Sequence, residues 1–123
     1  MKKIVCLILM VCLALLMFPA QAQAKLTKSG GVNYYKGTKE TWYNLDMKRI
    51  YERADREFGS HHKKWTREDG VKMYGPYVVL AVPFDVYPYG TCDIESSLGL
   101  GIALDTGAFA ETNKNQIDIA VDW

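Results

Sequence analysis

Beyond its first two dozen residues this chain has a single cysteine, Cys92, because Cys6 and Cys12 both lie in the leading apolar stretch. One thiol makes no internal disulfide and builds no structural zinc site, so the fold must rest on its apolar core. Cys92 itself is expected as a small buried hydrophobe. An excess of charge of one sign is also missing. Setting aside Lys2 and Lys3, 13 Lys and Arg face 14 Asp and Glu, a balance that offers nucleic acid or anionic lipid no general attraction. Histidine is scarce: His61 and His62 are the only two, and they are adjacent. Neighbouring side chains diverge, and no Cys or third His is near, so His61-His62-Lys63-Lys64 reads as an exposed basic loop. No metal and no organic cofactor is implied. Internal repeats and low-complexity segments are absent as well.

The one long apolar run stands at the start. Lys2 and Lys3 precede Ile4 to Phe18, 15 residues that are short for a membrane span, and Pro19 interrupts the run. Ala22-Gln23-Ala24 then supplies the small-x-small pattern read by signal peptidase. Residues 1–24 are therefore expected to be a cleaved signal peptide. The mature protein would begin at Lys25, be exported, and keep no membrane attachment. Removing 24 residues from 123 leaves 99, the size of one small domain.

Residues 25–43 read as an extended aromatic arm carrying Tyr34, Tyr35, Trp42 and Tyr43, with a turn at Gly37-Thr38. Residues 44–123 read as the domain proper. Asn44 or Asp46 is placed to cap a helix over 46–58, in which Met47, Ile50, Tyr51, Ala54 and Phe58 form one apolar stripe. Gly59 is placed to end it. After that the pattern is β. Trp65 starts a short strand, Asp69-Gly70 and Tyr74-Gly75-Pro76 are turns, and Tyr77 to Val82 is an unbroken apolar run of strand length that Pro83 stops. Further strands are expected at Cys92–Ser97, Gly101–Leu104 and Gln116–Asp122, with a polar loop over 108–115. Short strands with Gly or Pro turns at this spacing suggest a small closed barrel.

Two carboxylates stand out in the last quarter. Asp105-Thr106-Gly107 ends one apolar run, and Asp118 interrupts another, Ile117-Asp118-Ile119-Ala120-Val121. A carboxylate inside such a run is costly to desolvate unless it is hydrogen-bonded or kept protonated for use as a proton donor. Ile117 and Ile119 point to the opposite side of a strand from Asp118, so its carboxyl need not enter the core. The bland alternatives are a turn cap for Asp105 and an outward strand position for Asp118.

The blocks Ala81-Val82, Pro88-Tyr89-Gly90-Thr91, Leu98-Gly99-x-Gly101-Ile102, Asp105-Thr106-Gly107 and Ile117-Asp118-Ile119 together resemble the three-aspartate (3D) domain, from about Val71 to Trp123. That family includes membrane-bound lytic transglycosylase A and small Firmicutes cell-wall proteins linked to stationary-phase survival and resuscitation. Glu40 to Met47 is similar to the N-terminal extension of its short members. The resemblance implies a six-stranded double-psi β-barrel and cleavage of the bond between N-acetylmuramic acid and N-acetylglucosamine in peptidoglycan strands, leaving a 1,6-anhydromuramoyl end. It implies Asp118 as acid and base and Asp105 as its helper, with Thr91, Thr106 and Gly107 along the cleft. Partial burial and the charge of Asp105 would raise the Asp118 pKa. The family's first aspartate is replaced by Pro83, so Asp85, two residues on, is the remaining candidate for that contact. The resemblance also allows a second reading, a double-psi barrel that binds wall glycan without cutting it. Leu104-Asp105-Thr106-Gly107-Ala108 resembles the active-site turn of retroviral proteases, but the 16 residues after Gly107 are too few for the flap and second half-barrel those enzymes need.

Overall fold

The computed structural model describes residues 24–123, and the expected signal peptide falls almost wholly outside them. No described helix is long and apolar enough to cross a membrane.

The fold is mainly β, with eight strands in one mixed sheet and two short helices among the described residues. The expected arm is a hairpin built into that sheet. Strand β1 (Asn33–Tyr35) pairs antiparallel with β2 (Thr38–Tyr43) through Lys36 and Gly37, both at positive φ, as a tight twisted turn requires. Strand β2 then runs parallel to the last strand, β8 (Gln116–Ala120), with Thr41 opposite Asp118 and Tyr43 opposite Ala120. The next strand inward is β5 (Tyr77–Ala81), antiparallel to β8 with Ala81 opposite Asp118. The first half of β5 pairs with β4 (Lys72–Tyr74), and β4 with β3 (Lys64–Thr66). Strand β7 (Gly99–Asp105) lies parallel to β5, and β6 (Ile94–Ser96) pairs antiparallel with β7.

Eight strands replace the six expected, and the sheet stays open. Strands β1, β3 and β6 each have one partner and leave free ends. The difference arises at two places: 33–43 adds two strands, and β4 and β8 share β5, so the pairing branches instead of running round a ring.

Helix α1 (Lys48–Phe58) forms where the apolar stripe predicts one. Asp46 Oδ1 accepts the Lys48 amide at 2.9 Å, and Gly59 closes the helix in the left-handed conformation with φ 61°. Its buried Ala54, with Met47, packs on Tyr74, Val79, Ile102, Leu104 and Ala120, one face of the sheet. The opposite face carries the larger cluster, including Val78, Leu80, Ala103, Ile117 and Ile119. Strand β5 thus has apolar side chains on both faces, as its unbroken run predicts. A second helix, α2 (Phe109–Thr112), forms inside the expected polar loop, seated by buried Ala110. Cys92 is exposed rather than buried, because the strand begins two residues later at Ile94 and leaves the thiol in the loop.

Candidate active site

Asp105 and Asp118 are brought together by Ala81, which pairs with both: with Asp118 on β8 and with Asp105 on β7. Two strand spacings put the aspartate Cα atoms about 10 Å apart. Regular pairing would set Leu104 opposite Ala81. A register shift after Leu80 sets Asp105 there instead, so a β-bulge re-aims its side chain to the face shared by Asp118. That this face is shared is seen from Tyr43. It packs with the helix-side cluster, and its hydroxyl donates to Asp105 Oδ2 at 3.1 Å.

The two carboxyls are served differently. Asp105 accepts the Tyr43 hydroxyl and, through Oδ1, the Thr106 amide at 2.8 Å. Asp118 Oδ1 accepts one bond, from the Thr41 hydroxyl at 3.1 Å, and Thr41 Oγ1 in turn accepts Gln116 Nε2 at 3.0 Å. Burial pushes the Asp118 pKa up to about 6, against the lowering pull of the Thr41 bond and with the help of the Asp105 charge. Burial, then the charge of Asp105 and the hydrogen bond to it, hold the Tyr43 phenol far above its ordinary range, with a smaller push from Asp118. Tyr43 therefore remains a hydrogen-bond donor at any pH where the protein works. Asp105 and Asp118 are each half-buried, so both reach solvent while Ile117 and Ile119 are fully buried on the other face. The result is an open site with one carboxyl that carries a proton into the weakly acidic range beside a second carboxylate.

Of the other expected site residues only Thr106 bonds to this pair, through its backbone amide; Thr91 and Asp85 are engaged elsewhere. Thr91 spends its hydroxyl on the Pro88 carbonyl at 2.6 Å, closing its own turn. Asp85 is exposed and ion-paired with Lys114 at 2.9 Å, which holds its carboxyl below the usual range; Pro83, before it, is fully buried. Thr106 contributes its amide rather than its hydroxyl. Gly107 has no positive φ, so no backbone strain demands glycine there, and an added Cβ would rest 3.3 Å from the Phe109 ring. His61 and His62 are exposed, His61 against Asp55 at 3.4 Å and His62 edge-on to Tyr74. Among the described residues no group of three or more His, Cys, Asp and Glu side chains is arranged to hold a metal.

Thr41, Tyr43 and Gln116 are the site residues that the sequence reading missed. A signal was present: Thr38 to Tyr43 alternates, with Thr41 and Tyr43 on one side and Glu40 and Trp42 on the other. No family model, no curated protein and no solved structure matches this chain.

Proposed function

We propose that this is an exported peptidoglycan-active protein of the three-aspartate-domain type, a lytic transglycosylase in which Asp118 is the acid and base. The observation that carries the reading is the half-buried Asp118, with its pKa near 6, next to the charge of Asp105. Protonated Asp118 gives its proton to the glycosidic oxygen as the bond from that oxygen to C1 of N-acetylmuramic acid breaks. The resulting carboxylate then takes the proton of the C6 hydroxyl, and O6 closes on C1. One carboxyl serves both steps and no water is consumed, so a second nucleophilic carboxylate is unnecessary. Asp105, held in place by the Tyr43 hydroxyl and the Thr106 amide, is the second carboxyl group on this face and is oriented toward the positive charge that develops at C1. The double-psi arrangement of strands is part of this proposal.

Pro83 in place of the family's first aspartate, with Asp85 drawn off to Lys114, favours a second reading in which the same face grips glycan without cutting it. Incubating the secreted protein with purified sacculi separates the two. Soluble muropeptides released by the wild type and not by Asp118→Asn support catalysis. Sedimentation with sacculi and no release, from mildly acidic to neutral pH, leaves the binder. Neither release nor sedimentation contradicts both.

A further inference from the structure

Glu40 is fully buried on the side of β2 opposite Thr41 and Tyr43. Its carboxylate accepts Asn33 Nδ2 at 2.9 Å, the Ser97 amide at 2.8 Å and the Ser97 hydroxyl at 2.6 Å. These donors, from β1 and from the turn between β6 and β7, are all neutral, and no Lys, Arg or His side chain of the described residues is bonded to it. A buried carboxylate supplied by neutral donors alone is an expensive arrangement. The same two residues also hold the start of the described chain. Asn33 Nδ2 reaches the Ala24 carbonyl at 2.9 Å, and the Leu26 amide donates to Ser97 Oγ at 3.0 Å. The peptide bond between Ala24 and Lys25 is therefore flanked, before and after, by groups one hydrogen bond removed from Glu40 Oε1. It is also the bond that Ala22-Gln23-Ala24 marks for signal peptidase.

We propose that Glu40 is the built-in acceptor for the α-ammonium of Lys25 created by that cleavage. Hydrolysis adds water across the bond, leaving a carboxylate on the departing Ala24 and an amine on Lys25 that takes up a proton at neutral pH. Departure of the Ala24 carbonyl frees one Asn33 hydrogen, and the new ammonium brings the cation that the pocket lacks. Lys25 is itself exposed, while Leu26 is buried and fixes the segment in place. Because Glu40 directly precedes Thr41, which bonds to Asp118, the ion pair stakes down the strand that furnishes the candidate site. The proposal rests on the expected processing site and is independent of any chemistry at Asp118.

The test uses the protein secreted by cells that process it. Its N-terminus is sequenced, and the α-amine is titrated by the pH dependence of its acetylation, read by mass spectrometry. The expected result is an N-terminal Lys25 whose amine titrates at least about one unit above the ordinary value of about 8, so that acetylation at pH 7 is about tenfold slower than for an unstructured peptide. Glu40→Gln returns the amine to the ordinary value, as does a chain that begins at Ala24. A different N-terminus, or an ordinary amine in the wild type, overturns the proposal, and the wild-type titration decides even where Glu40→Gln does not fold.

Discussion

Asp118→Asn is expected to make the protein more stable near neutral pH and to leave it unchanged in acid. The folded carboxyl has a pKa of about 6, against an ordinary value of 3.8. For an acid, a raised folded-state pKa means that the native state holds a proton which the unfolded chain has released. Stability is therefore undiminished below pH 4, falls as pH rises through 6, and is flat above about pH 7. At about 1.4 kcal/mol per unit, a shift of about two units would cost about 3 kcal/mol if the group were sealed from water. The carboxyl keeps a solvent-facing side, which reduces the figure to about 1 to 1.5 kcal/mol. Asparagine removes that penalty and still accepts the Thr41 hydroxyl, whose bond is 3.1 Å in the wild type. For a domain of this size the gain corresponds to a rise in Tm of about 4 to 10 °C at pH 7.5. Thermal melts of both proteins from pH 4 to 8 give the difference curve, and a carbon-13 titration of the aspartate carboxyls gives the pKa directly. Equal melting at pH 7.5, or an Asp118 that titrates near 4, would refute the reasoning.

Tyr43→Phe removes the hydroxyl anchored to Asp105 Oδ2 and is expected to lower kcat/KM on sacculi about tenfold, the worth of a bond to a charged group, while Tm changes far less. Gly70→Ala is expected to cost about 2 to 3 kcal/mol in urea unfolding. Gly70 sits at φ 89°, and its added Cβ would fall 2.3 Å from Asp122 Oδ1 and 2.8 Å from the Trp123 ring. Glu40→Ala strands the Asn33 amide and the Ser97 backbone N–H in the interior and is expected to cost about 3 kcal/mol or more by the same measurement.

Elements with local signatures were legible. Helix α1 is written in a five-residue stripe with a stop at Gly59, and β5 in an apolar run halted by Pro83. The alternation around Asp118 also predicts its outward carboxyl, since Ile117 and Ile119 take the buried side. What escaped the sequence was set by distant partners. Thr38 to Tyr43 is polar enough to pass for an arm, and it becomes a strand because β8, 77 residues away at the Thr41–Asp118 contact, supplies its edge. Glu40 has no local mark of burial; Ser97, 57 residues on, makes that burial tolerable. Asp105 reaches its face through a register shift that no residue type announces. The closed six-stranded outline was lost for the same reason, as the two added strands and the shared edge of β5 are long-range choices.

In the proposed reaction one carboxyl, Asp118, cuts the glycan by passing its proton out and taking another back, without water. Mass spectrometry of the products formed from sacculi in oxygen-18 water tests this most directly. The expected products are muropeptides with 1,6-anhydromuramoyl ends, one water lighter than the reducing-end products and free of the heavy label, and none from Asp118→Asn. Reducing ends carrying oxygen-18, or products undiminished in Asp118→Asn, would contradict it.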